Sequence, residues 1–279
     1  MSGTGTLLRF YLRRDRIMLA AWIFGGVMLY YSQAVSTDSL YATQADLDKA
    51  AASVGGNPAF LAMLGPDQAL DTLGGQVAWQ SVAFGIIVAG LMSMFLIGRH
   101  TRAEEEVGRD ELIRSTVVAR HAPMVAATIV AIGANLVLGA LTTLSLISVG
   151  LETAGCISLG VSLALGGIVF AGVALLAAQL TDGARSMYGI TGAVIAVSYG
   201  LRAIGDVGNG ALSWLSPIGW AQGMHAYDGE VWWPIALLVV GAGVPIVAAI
   251  AIFSRRDVGS GVWAARPGPA RAGLGLNSA

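Results

Sequence analysis

Six stretches of nearly unbroken apolar residues alternate with polar, arginine-bearing segments: Ile17–Val35, Val77–Ile97, Met124–Val149, Ile157–Leu180, Met187–Leu201 and Trp233–Phe253. About 20 apolar residues in a helix cross the roughly 30 Å hydrocarbon core of a bilayer, so each stretch predicts a transmembrane helix. The fifth is the shortest. It spans when carried on to residue 204, with Arg202 snorkelling to the far interface. The predicted fold class is an all-α membrane protein with one six-span domain over residues 17–257. Ahead of it, within residues 1–16, Leu7, Leu8, Tyr11 and Leu12 share one helical side and the arginines the other. That pattern predicts an amphipathic interfacial helix with its apolar side toward lipid.

Two connecting segments carry structure of their own. Residues 36–76 hold apolar clusters such as Phe60-Leu61-Ala62-Met63-Leu64 between Gly and Pro breaks, predicting short helices on the outer surface. Residues 205–234 hold Trp214, Trp220, Trp232 and Trp233 around Ser216-Pro217-Ile218-Gly219. Tryptophan favours the membrane interface, so this segment either forms an aromatic belt or dips into the outer leaflet. Beyond Asp257 the chain turns rich in Gly, Pro, Ala and Arg, and residues 258–279 read as a linker-like tail. Small residues four apart, Ala21/Gly25, Gly85/Ala89 and Gly167/Ala171, predict close helix approach.

Charge fixes the predicted orientation. Arg9, Arg13, Arg14 and Arg16 precede the first span, and Arg99, Arg102, Arg109, Arg114 and Arg120 follow the second. Arg185 lies between the fourth and fifth, and Arg255, Arg256, Arg266 and Arg271 follow the sixth, leaving only Lys49 and Arg202 on the opposite side. Basic residues in short loops stay cytoplasmic, so both ends are predicted inside a bacterial plasma membrane. Composition agrees: 55% of residues are apolar, 12% charged, and mean hydropathy is +0.69. Too little charge is present to cover a soluble surface, and no basic patch outside the membrane flanks suits nucleic acid.

The missing chemistry narrows function. Cys156 is the only cysteine, so disulfide frameworks and cysteine metal sites are excluded. The one lysine, Lys49, does not follow a glycine-rich loop, so the chain has no Walker A phosphate site and no ATP site of its own. None of the six apolar cores carries an ionisable side chain, the usual relay of ion-coupled transport. His100, His121 and His225 sit at loops or span ends, away from any nucleophile within the bilayer. Asp182-Gly183-Ala184-Arg185 shares part of the phosphatidyltransferase aspartate motif but lacks its other aspartates. A tight turn is the better reading. The chain reads as a non-enzyme with no cofactor, whose driving energy, if it transports, comes from another subunit.

The densest charged cluster lies in the loop of residues 98–121. On a helix Arg102/Glu106, Glu105/Arg109 and Asp110/Arg114 are each four apart and able to pair, with Leu112, Ile113, Val117 and Val118 as a short apolar side. Such a helix suits docking to a cytoplasmic partner, or is a solvated juxtamembrane helix. The residues alone leave both readings open. The run Thr101-Arg102-Ala103-Glu104-Glu105-Glu106-Val107-Gly108-Arg109-Asp110-Glu111-Leu112, then Val117-Val118-Ala119-Arg120, resembles permease subunits of ABC-2-type exporters. The nearest likeness is to the polyketide-antibiotic (tetronasin-like) subgroup of actinobacteria. Leu215-Ser216-Pro217-Ile218-Gly219-Trp220-Ala221-Gln222, Trp232-Trp233-Pro234 and Arg255-Arg256-Asp257-Val258 resemble the same subgroup, over about residues 5–260.

The resemblance implies a permease that exports a polyketide antibiotic or similar amphipathic compound, with ATP bound and split on a separate ABC ATPase subunit. It implies that the loop is a coupling helix in which Arg102, Glu104, Glu105, Glu106, Arg109 and Glu111 transmit the ATPase stroke. It also implies that the Trp-rich segment is a re-entrant hairpin. Permeases of this subgroup commonly have two six-span halves, and this chain matches the first, so a second half, identical or distinct, is expected as partner. The alternatives are a permease-like membrane anchor or sensor, and a lipid-modifying enzyme, for which no polar constellation is found.

Overall fold

The computed structural model describes residues 3–106 and 119–255, and among these residues there are helices and no strands. Six helices are long and apolar enough to cross a membrane: Arg16–Leu40, Leu73–His100, Ala122–Ser148, Thr153–Leu180, Ala184–Val207 and Pro234–Arg255. Called here the first to sixth spans, they cover the six apolar stretches except for Val149 and Trp233 at two ends, and elsewhere overrun them by up to two turns, because polar residues at a bilayer surface keep helical hydrogen bonds. The fifth gains most: it carries Arg202 and Asp206 inside its last turns.

The fourth span is the hub, packed against the second, third and sixth. Of its most apolar stretch 78% is buried, against 22% for the first and sixth spans, so those two lie at the periphery. Lipid is as apolar as leucine, so close backbone approach rather than hydrophobic transfer holds such helices together. At the contact of third and fourth spans, a Cβ on Gly139 would overlap the Gly160 carbonyl, which only glycine permits. A Cβ on Gly172 would come within 2.8 Å of the Ala242 carbonyl of the sixth span. Gly85, Ala89, Gly167 and Ala171 are all buried, with Gly85 under the Tyr30 ring and Gly167 against Asn135 and Ala89. Ala21 and Gly25 are not: both are exposed, and nothing lies within 4 Å of a Cβ on Gly25, whereas Gly26 packs on Leu138.

Midway through the bundle, Asn135 donates to Ser93 Oγ at 2.8 Å and Ser93 donates to the Gly167 carbonyl at 2.9 Å, tying the second, third and fourth spans. The N-terminal helix, Thr4–Arg14, packs on the third span with Leu7 and Tyr11 buried. These two residues therefore face protein rather than the lipid expected from the helical pattern. Leu12 keeps the exposed side, at 46%.

The opposite end of the bundle is capped by two short helices, Gln44–Val54 and Pro58–Leu64, and by the Trp-rich segment. Leu64, Leu70 and Trp79 form a small separate core there. The Trp-rich segment is a tight 3₁₀ turn at Ala211–Leu215 followed by the helix Pro217–Gln222. Ser216 is its N-cap, accepting from the Ile218 and Gly219 amides, while its hydroxyl donates to the Ser198 carbonyl of the fifth span at 2.7 Å. Ile218, Ala221 and Met224 are buried. Trp214 and Trp233 stay exposed and stack at 4.9 Å.

Candidate functional site

At the arginine-rich end, the second span stops at His100, and Thr101 breaks the helix before a five-residue turn, Arg102–Glu106. The last four carbonyls of a helix and its first four amides lack intrahelical partners. The turn meets both needs at once. Arg102 is 1% exposed and donates through Nε to the Ala178 carbonyl in the last turn of the fourth span. A guanidinium there also suits the negative end of the helix dipole. Glu106 Oε1 accepts the Ala184 amide at 2.8 Å, at the first residue of the fifth span, whose own N-cap Gly183 has no side chain to offer. A carboxylate at a helix N-terminus suits the positive end of the dipole.

The pair expected between Arg102 and Glu106 is absent. Glu106 serves the fifth span, and Arg102 Nη1 pairs instead with Glu105 at 2.6 Å, three residues on. Glu104 turns the other way and meets Arg14 of the N-terminal helix at 2.6 Å. The structure therefore brings Arg102, Glu104, Glu105 and Glu106 together as ties between helix ends. Arg109 and Glu111, the pairs Glu105/Arg109 and Asp110/Arg114, and the apolar side chains from Leu112 to Val118 lie outside the described residues.

Asp15 and His100 also belong to this junction, and sequence reasoning missed both. Asp15 sits at the joint of the N-terminal helix and the first span, 1% exposed. It hydrogen-bonds His100 Nε2 and pairs with Arg99 Nε at 3.1 Å. The Tyr11 ring stacks on His100 with centroids 3.9 Å apart. The available signal was a lone acid inside a run of arginines. Arg120, where the described chain resumes, donates to the Phe253 carbonyl at 3.3 Å and lies over its ring, tying the sixth span to the same end.

A matching arrangement stands at the opposite end. Arg202 is enclosed by protein rather than open to solvent: it is 0% exposed. It donates to the Leu61 and Met63 carbonyls at 3.3 and 3.2 Å, pairs with Asp206 at 3.4 Å and lies 4.5 Å over the Tyr199 ring. The last turn of Pro58–Leu64 is thus capped by a guanidinium, as the fourth span is by Arg102. Tyr199 and Gln222 bind the Met63 and Leu64 carbonyls, at 2.7 and 2.9 Å. Tyr227 lies over Gly74 and Gly155, where any Cβ would strike its ring, and donates to Cys156 Sγ at 3.2 Å. Burial pushes its phenol well above the usual range, so the donor proton stays in place. Among the described residues no cluster of His, Cys, Asp or Glu fits a metal ion.

No protein-family profile matches the chain. Over 273 residues, 98% of its length, it is 41% identical to a Mycobacterium tuberculosis protein named a multidrug efflux system permease protein. The chain spans about half of that relative's length, 50%.

Proposed function

We propose that this chain is one six-span half of an exporter permease that moves an amphipathic compound outward when a separate ABC ATPase subunit works, and that it belongs to the ABC-2-type, tetronasin-like group. The observation that carries the reading is the 41% identity, over an alignment that takes in all six spans, to a protein named an efflux permease. In this reading both ends lie in the cytoplasm, and a second half, a copy of this chain or a distinct one, completes the path.

Arg109 and Glu111 meet the ATPase. Arg102, Glu104, Glu105 and Glu106 hand its movement to the helix ends that they hold. A lever works only if it is fixed to what it moves, and these side chains fix the turn to the N-terminal helix and the fourth and fifth spans. The test is co-expression with a candidate ABC ATPase subunit. Reversing charge at Arg109→Glu and Glu111→Lys abolishes ATPase pull-down and drug resistance while membrane insertion persists. Resistance and pull-down that both stay at the wild-type level overturn the docking role.

A further inference from the structure

Between the N-terminal helix, the first span and the third span lies an apolar groove of about 290 Å³, lined by Leu8, Leu12, Leu19, Ile23, Gly133 and Val137 among others. No side chain lining it carries a hydrogen-bonding group, so whatever fills it is aliphatic where it touches protein.

The residues next to these lining positions along the chain are the opposite in character. Arg9 and Arg13 each follow a groove-lining leucine by one position, and Arg16 stands one turn before Leu19. Arg9 and Arg13 lie one turn apart on the N-terminal helix, and Arg16 opens the first span just past the joint at Asp15. All three are exposed, and among the described residues no carboxylate pairs with any of them. Arg14, on the neighbouring face, is the contrast: it turns inward to Glu104. Three uncommitted cations beside an aliphatic slot define a ligand with an anionic head and a hydrocarbon tail.

We propose that this groove binds one anionic phospholipid, its phosphate against Arg9, Arg13 and Arg16 and one acyl chain between the N-terminal helix and the first and third spans. The lipid fills the groove that Leu8 and Leu12 line with the third span, and so wedges the N-terminal helix onto the bundle. A basic amphipathic helix at a membrane surface draws anionic lipid, with about five-fold in affinity for each arginine near the headgroups.

The test is native mass spectrometry of the full chain in mild detergent, exchanged with phosphatidylglycerol or with phosphatidylcholine of equal chain length. One phosphatidylglycerol is retained per chain, and phosphatidylcholine falls to background. Arg9→Gln/Arg13→Gln/Arg16→Gln lowers apparent affinity for phosphatidylglycerol about a hundred-fold, and Arg14→Gln leaves it unchanged. Gly133→Leu fills the slot, since no atom lies within 4 Å of a Cβ there, and displaces the lipid without disturbing the helices. Equal retention of the two lipids overturns the proposal, and that comparison needs no variant. So does undiminished retention in the triple variant. A Gly133→Leu chain that keeps its lipid but splits from a dimer would show instead that a second copy covers the groove.

Discussion

Replacing Arg202 with methionine removes a fully buried cation and leaves three acceptors facing one another. The Leu61 and Met63 carbonyls each lose one donor, keeping the Gly65 amide and the Tyr199 hydroxyl respectively, and the Asp206 carboxylate loses its counter-charge and keeps Ser213 as a donor at 2.6 Å. Breaking a buried pair by removing one partner costs about 3–5 kcal/mol, mostly through the charge left behind. The carbonyls add to this only in part, because Tyr199 still donates to Met63. The expected loss is therefore about 3–5 kcal/mol, read as unfolding of the purified chain in mixed micelles of increasing denaturing detergent. Limited proteolysis should cut within residues 55–72 earlier than in wild type, since the helix Pro58–Leu64 loses its cap. Arg202→Lys should fall between the two, because one ammonium cannot span acceptors that Nη1 and Nη2 now divide. Adding Asp206→Asn to Arg202→Met should recover part of the loss, since the stranded charge is gone. A loss under about 0.5 kcal/mol for Arg202→Met, with proteolysis unchanged, would refute the capping argument and restore the snorkelling one.

The same unfolding assay checks five further substitutions at four positions. Glu106→Ala removes the acceptor at the start of the fifth span and should cost about 0.5–2 kcal/mol, whereas Glu106→Gln keeps an acceptor and should lose only the dipole contribution, about 0.3–1 kcal/mol. Gly139→Leu drives a side chain into the Gly160 carbonyl and should cost about 1–3 kcal/mol or more, with the third and fourth spans forced apart. Gly25→Leu meets nothing within 4 Å and should stay within about 0.5 kcal/mol of wild type, while Gly26→Leu meets Leu138 at 2.7 Å and should be measurably worse.

The spans were legible because a bilayer selects on composition alone: twenty apolar residues suffice, whatever packs around them. Partner choice for the charges was not, because it depends on which helix ends meet in space. Arg102 binds a carbonyl 76 residues away and Glu106 an amide 78 residues away, so a rule of spacing four within the loop had no means of finding either. Asp15 and His100, 85 residues apart, were invisible for the same reason. Arg202 was read as a charge needing water, since a single apolar run shows nothing of the carbonyls that a distant short helix presents. For the N-terminal helix the periodicity gave the apolar side but not its cover. Leu7 and Tyr11 differ from Leu12 only in what the third span places opposite them. Small-residue spacing did not mark a contact at Ala21/Gly25 within this chain, because a pair of small residues reports a contact only where another helix lies against it.

The ionic side chains in this fold do one job repeatedly: they satisfy helix ends that belong to other parts of the chain. Arg102 holds the end of the fourth span and Glu106 the start of the fifth, while Arg202, near the fifth span's far end, holds the helix Pro58–Leu64. Ser198, also on the fifth span, supplies the carbonyl that anchors Ser216. The two spans meet the Arg102–Glu106 turn alike, but they are not equally free to move. The fourth is enclosed by the second, third and sixth and is 78% buried over its apolar stretch, whereas the fifth is 28% buried. A continuous helix of 24 residues is a rod of about 36 Å. On the proposed function, a push on the turn therefore acts against a locked fourth span and displaces the fifth, whose far end carries the outer helix and the Trp-rich segment with it. Glu106 and Arg202 are then the two grips on one rod, and loosening either should weaken transport more than it weakens the fold.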